Sequence, residues 1–402
     1  MVNDALAYMA KKNGNVVKYD SAGNPSIYVP INRCLSSDLH ASLPAHVHPA
    51  FKVGETILDQ NLIGKYKASA LDGSTVLYSI PGRDPANNIN YDMFLTRLRS
   101  FASGASGITI ADHGLLMLLA VKYGWQPKGN NNYGADYRDG TRWQEGQTIT
   151  AGDERVYRGW RYKALVDHTS AAANAPENNP AYWEKGKHVG GVMSADTGAG
   201  NRTLTGSGPS EWYLGNDVGN IADPQGDATE QVYGCRLYDG EIQILSDDNT
   251  AALPTTDCSA NAAWKAILPG ASETDYTLVT PGTTGTLHYN WLNSKVTLDT
   301  ETVVEDASRS CKFTDMAVNT DHVANVPVIL RELGLFPLDG LTQPQKDLLD
   351  GTFYYNSSGE RVPRRSGTYF NASDAGMGYL YFSYDRSHSS DRSGARGRFF
   401  ES

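Results

Sequence analysis

The chain has 402 residues, of which 40% are hydrophobic and 20% charged, with a formal net charge of −10. Such a composition excludes a disordered chain, and the acidic balance argues against whole-surface nucleic-acid binding, which needs Lys and Arg to neutralise phosphate. The longest strongly apolar run, residues 115–121, is far below the ~20 residues of a membrane span, and the first residues lack a signal-peptide core, so no membrane insertion is expected.

Forty glycines and 23 tyrosines predict turn-rich structure with more strand than helix. Residues 1–40 mix polar turns with one short β-like stretch, 26–31, and read as an arm. Two helices are predicted next, over 91–101, where Phe94, Leu95 and Leu98 keep helical spacing, and over 111–123. Residues 128–139 are rich in Gly, Asn and Tyr, a loop signal. Residues 143–187 read as a separate small unit with short strands at 154–157 and 160–166. Beyond residue 187 helical signals are few until 327–333. Long loops pinned by a few strands and two helices predict an α+β fold, with 41–142 and 188–402 as the body.

The four cysteines, Cys34, Cys235, Cys258 and Cys311, are scattered without close pairs. Structural zinc is therefore not expected, and reduced buried thiols are the favoured reading, with a Cys235–Cys258 disulfide left open. Asp112-His113 and the pair His46/His48 lie near predicted turns, where solvation or capping is the commoner role than catalysis or metal binding. Asp247-Asp248-Asn249 resembles half a calcium loop but lacks the remaining spaced oxygens. No cofactor and no metal are expected.

The 52 residues from Gly351 onward hold six Tyr, five Phe, ten Ser and seven Arg, with no Lys and no Trp. Tyrosine gives contact area at low entropy cost, Ser and Asn adapt their hydrogen bonds, and Arg and Tyr favour binding hot spots. Residues 377–384 alternate, which predicts Leu380 and Phe382 inward and Met377, Tyr379, Tyr381 and Ser383 toward solvent. That outer face reads either as a partner site or as a subunit interface.

Two resemblances sharpen these expectations. The stretch running from Trp143-Gln144-Glu145-Gly146 through Gly159-Trp160-Arg161-Tyr162 to Pro180-Ala181-Tyr182-Trp183 resembles small chitin-type carbohydrate-binding modules. Trp143, Tyr162 and Trp183 are expected as the core of that unit, and Trp160 and Tyr182 as the rings available to a glycan.

Arg364-Arg365-Ser366-Gly367-Thr368-Tyr369, followed by Ala375-Gly376, the alternating strand, Arg386-Ser387 and Gly394-Ala395-Arg396-Gly397, looks like the end of a retroelement-diversified variable protein of C-type lectin fold. Such proteins include phage major tropism determinants, within a formylglycine-generating-enzyme-like superfamily. Upstream pieces agree, among them His48-Pro49-Ala50-Phe51, Ile63-Gly64-Lys65-Tyr66 and Arg236-Leu237-Tyr238-Asp239-Gly240. Ser366 and Tyr369 stand where that family usually has Gly and Trp.

The resemblance implies a C-type lectin-like fold with long loops and a variable ligand-binding region at 361–402. It places Tyr369, Phe370, Asn371, Ser373, Asp374, Met377, Tyr379, Tyr381, Ser383, Asp385, Ser387 and His388 at the positions that vary and bind. It implies a non-enzymatic adhesin of a phage or prophage tail, assembled in the bacterial cytoplasm and carried on the virion, whose partners are a host cell-surface protein or glycan and other tail proteins. A homo-oligomer, a trimer in some relatives, is part of that expectation. The alternative is a structural tail-tip or fibre component whose aromatic face joins subunits. No cysteine follows Cys311, so the copper-dependent oxidation performed by the enzyme cousins has no C-terminal ligand pair here.

Overall fold

Thr109 begins the longest helix, Ile110–Tyr123, because its hydroxyl accepts from Asp112 N while the Asp112 carboxylate accepts from Thr109 N; Gly124, left-handed at φ 61°, ends it. Apolar on almost every side, this helix is buried along all but its last turn. Gly114 is obligatory there, since a Cβ would lie 1.9 Å from the Glu332 carbonyl of the short helix Val328–Glu332. The helix Tyr91–Arg99 starts at Asn90, whose side chain accepts from Met93 N, and turns Phe94, Leu95 and Leu98 inward. These two segments agree with the sequence expectation to within two residues at each end.

The computed structural model describes residues 2–194, 201–245 and 262–400. Among these the fold is β-rich with few helices, and no helix is long and apolar enough to cross a membrane. Cys258 and Asp247-Asp248-Asn249 lie outside the described residues. Cys235 is buried, and Cys34 and Cys311 are half-buried, all three as free thiols.

A five-stranded sheet runs Val16–Tyr19, Pro25–Asn32, Gln60–Gly64, Gly397–Phe399, Ala105–Gly107. Residues 1–40 are therefore no arm: after the helix Val2–Lys12, two of their strands enter this sheet, with Val29 opposite Ile63. Ile27, Tyr28 and Val29 are all buried, so both faces are covered and the alternation that marks a one-sided strand is absent.

A second sheet has eight strands, with Asp275–Val279, Trp264–Ser272, Glu241–Leu245, His288–Leu292, Lys295–Asp299 and Ala317–Val318 in order, and Cys235–Tyr238 linking it to Glu360–Arg361. The third sheet carries the C-terminal region. Its order is Arg309–Lys312, Thr352–Tyr355, Leu380–Phe382, Arg364–Arg365, Thr229–Gln231, Ser393–Ala395. One hydrophobic core joins all of this, with Phe51, Leu115, Leu237, Leu298, Leu330, Phe353, Leu380 and Phe382 among its members.

The unit around residue 160 has its own strands, Glu154–Tyr157, Trp160–Ala164 and Trp183–His188, plus a two-stranded ribbon. Trp143, Ile149, Tyr162, Ala164 and Trp183 form its small core. Glycines fasten it to the body: Gly191 N donates to Gly134 O, Gly190 N donates to Gly159 O, and a Cβ on Gly190 would lie 1.8 Å from Gly134 O.

Candidate functional site

On a strand of two residues, neighbours point to opposite faces. Arg364 and Arg365 divide in this way, Arg365 toward the interior and Arg364 toward a surface cleft.

Inside, Glu230 is fully buried and holds three cations. Its Oε1 accepts from Lys67 Nζ at 2.8 Å and Arg396 Nη2 at 2.7 Å, and its Oε2 from Arg365 Nη1 at 2.6 Å. Arg396 also donates to the carbonyls of Gly64, Lys65 and Ala222, fixing the five-stranded sheet to the loop before Glu230. Burial alone would raise the Glu230 carboxyl, but Arg396, Lys67 and Arg365 hold it far below the usual range. His113, pushed well down by burial and by Arg365, is neutral, and its Nδ1 accepts from Arg365 Nε.

Ser366 explains a departure from the resembling family. Its φ is 84°, in the left-handed region that glycine adopts freely. Serine tolerates the position because its Oγ accepts from Lys67 Nζ and faces the Gly226 carbonyl. From there Tyr369 N donates to Asp227 O, which starts the loop over the cleft.

Asp227 itself is buried, its Oδ1 accepting from Thr203 N and Asn130 Nδ2. Burial, with Asp223 nearby, pushes its carboxyl up from 3.8 to about 7. The folded state thus holds this proton more tightly than the unfolded chain. The resulting stabilisation is complete below pH 3.8 and is lost as pH rises toward 7, at most ~1.4 kcal/mol per pH unit. Asp227→Asn keeps the Oδ1 acceptor and removes the charge, so the variant should gain on the wild type from pH 5 to pH 8. Urea midpoints across that range check it, and parallel profiles would refute it.

The cleft encloses about 290 Å³. A ladder of rings lines one side: Tyr354 and Tyr381 at 5.1 Å, Tyr381 and Tyr384 at 4.9 Å, then His388 stacked on Tyr384 at 3.6 Å and 5°. Tyr379 stacks beside Tyr381, and Arg364 lies over the Tyr384 ring. Phe370, 37% exposed, and Arg392 above it form the opposite rim. The Asp385 carboxylate accepts from Ser387 N, Ser387 Oγ and His388 N, a turn that sets the imidazole in place.

Of the twelve positions expected to bind, the structure brings Phe370, Asn371, Tyr379, Tyr381 and His388 to the cleft. Three of the four outward assignments, Met377, Tyr379 and Ser383, are corrected. Met377 is fully buried in the main core, and Tyr379 is 4% exposed, reaching the cleft only as part of its wall. The reason is length: the strand spans only Leu380–Phe382, where Tyr381 is half-exposed between two buried residues, and Met377, Tyr379 and Ser383 lie beyond its ends, where the alternation no longer applies.

Tyr369 is also buried, packing on Tyr133 while its hydroxyl donates to Asp391. Ser383 is buried against Ser308. Asp374 accepts from Thr352 Oγ1 and the Tyr354 hydroxyl, Ser373 offers its carbonyl to Lys312, and Asp385 and Ser387 build the turn. Tyr354, Tyr384, Arg364 and Arg392 line the cleft without having been singled out. The pairing of Tyr354 with Tyr381 across parallel strands 25 or more residues apart leaves no local signal, whereas the Arg364-Arg365 doublet was visible and its division between two faces was not.

The weighed histidines are otherwise engaged. His48 is buried and caps the turn Pro49–Phe51, and His46 Nε2 meets the Glu332 carboxylate at 2.6 Å. Asp299, Glu301 and His322 come close enough to share a cation, but the Asp299 oxygens already accept from Asn319, His322 and two backbone amides.

In the small unit, Trp160 and Tyr182 are half-buried and far apart. Trp160 opposes His188 while Leu165 N donates to Tyr182 O, which is five residues or roughly 16 Å along the strand at ~3.3 Å per residue. Lys185 Nζ sits 3.7 Å over the Trp160 ring, and His168 packs edge-on to Tyr182. A single sugar ring does not touch both.

No curated protein matches the sequence. Residues 142–184 match the model of carbohydrate-binding module family 5/12, so the inserted unit is similar to that family over nearly its whole length.

Proposed function

We propose that this protein is a non-enzymatic adhesin of a phage or prophage tail, with a body of C-type lectin-like fold whose C-terminal cleft holds a host cell-surface ligand. The unit similar to carbohydrate-binding modules adds a second contact, directed at a glycan through Trp160 or Tyr182. The observation that carries the reading is the cleft itself: aromatic rings and adaptable polar groups set on a sheet that a buried ionic cluster anchors.

Retroelement diversification belongs to the same proposal, and it acts most freely at Phe370, Asn371, Tyr381, Ser387 and His388, whose side chains are at least partly exposed. Exposed substitutions usually cost under ~0.5 kcal/mol, so such positions change without unfolding the body. A concave cleft, unlike a flat aromatic face, favours a ligand over a subunit interface.

The double variant Phe370→Ala/Tyr381→Ala should lower adsorption to host cells at least about tenfold and leave the unfolding midpoint within a few degrees of wild type. Adsorption that survives both changes would place the site elsewhere.

A further inference from the structure

Among the described residues, seven arginines are buried: Arg202, Arg236, Arg331, Arg364, Arg365, Arg396 and Arg398. Six of them pair with a carboxylate. Arg202 meets Asp84 at 2.7 Å, Arg236 meets Glu360 at 2.8 Å, Arg331 meets Asp339 at 2.5 Å, and Arg398 meets Asp112 at 3.5 Å. Arg365 and Arg396 share Glu230.

Arg364 is the exception, and it is the one that lines the cleft. Its Nη1 donates to Ser393 Oγ at 3.1 Å and its Nη2 to the His388 carbonyl at 3.3 Å, both neutral acceptors, while its Nε has no partner. A buried cation without an anion is costly, and proteins keep such groups chiefly where something else supplies the charge. Burial pushes the guanidinium down to about 10, and Tyr384, Tyr379, Tyr381 and Asp385 nearby offset that only in part. Three further nitrogen-bearing side chains, Asn371, His388 and Arg392, line the same cleft, and no carboxylate does.

Resting on the reading of this cleft as the ligand site, we propose that it selects a carboxylated sugar, with the carboxylate directed to Arg364 and the pyranose ring against Phe370 and Tyr381. The cleft's volume of about 290 Å³ is at the small end for ligand sites and suits a sugar ring better than a length of chain. A peptide cannot add to the strand that carries the rings, because Leu380–Phe382 is flanked by Thr352–Tyr355 on one side and Arg364–Arg365 on the other. Aromatic faces suit the CH groups of a pyranose, and an arginine fork suits a carboxylate.

The test is calorimetric titration with oligosaccharides of galacturonic, glucuronic, mannuronic and N-acetylneuraminic acid, each beside its carboxyl methyl ester. At least one acid should bind ten times or more tightly than its ester. Arg364→Met should erase that preference while leaving the unfolding midpoint unchanged or higher, since it removes an unpaired buried charge; a merely structural arginine would lower it.

If no acid is preferred to its ester, or if the preference survives Arg364→Met, the proposal is overturned. Equal binding of acid and ester that disappears in Tyr381→Ala would overturn the carboxylate selection and leave the cleft as the site. Binding indifferent to both Arg364→Met and Tyr381→Ala would overturn the cleft as well.

Discussion

Glu230→Gln should cost at least about 3–5 kcal/mol of folding stability, the range for breaking a buried ion pair by removing one partner. Three cations depend on this carboxylate, and Glu230, Arg365 and Arg396 are all without solvent exposure, as is Lys67. Glutamine keeps the shape and one acceptor oxygen but leaves three buried positive charges facing one another. Urea unfolding followed by circular dichroism reads the loss directly. A change under about 1 kcal/mol would mean that water or another anion neutralises the cluster. The variant should also distort the cleft, because Arg365 and Ser366 sit between the cluster and the loop that carries Phe370.

Tyr379→Ala and Tyr381→Ala should separate folding from binding. Tyr379 is 4% exposed and packs against Tyr354 and Tyr381, so truncation opens a cavity in the sheet and should cost about 3–5 kcal/mol, as for other large aromatic side chains. Tyr381, half-buried at the cleft, should cost about 1 kcal/mol and lose binding instead. Thermal unfolding and host adsorption measured on the two single variants check the division. Equal destabilisation would show that Tyr381 is as much a wall of the fold as its neighbour.

The parts of this fold legible in the sequence are those fixed by short-range chemistry. Thr109 and Asp112 with Gly124 mark the ends of the buried helix, and Phe94, Leu95 and Leu98 mark a packed face. The strands around Trp160 follow from β-forming residues separated by a Gly-bearing turn. What stayed hidden depends on distant partners. Glu230 meets residues 163, 135 and 166 positions away, and nothing near it in the chain announces three cations. The strand Pro25–Asn32 was mistaken for part of an arm because burial on both faces removes its periodicity. Met377, Tyr379 and Ser383 were misdirected for another reason: the strand is only Leu380–Phe382, and the alternation was carried past both of its ends.

The position of Arg396 also orders the birth of the molecule. On the ribosome, Glu230, Lys67 and Arg365 are made before it, as are the strands Gln60–Gly64 and Ala105–Gly107 that Gly397–Phe399 will join. Until that late segment leaves the exit tunnel, both strands keep an unpaired edge, and two edges of this kind in a nascent chain invite pairing with a neighbour. Contacts spanning more than 330 residues, such as Arg396 to Gly64, close slowly once they become available. The waiting chain is therefore most exposed to mispairing in the interval before residues 396–399 emerge, and a chain cut before Arg396 would keep both edges open.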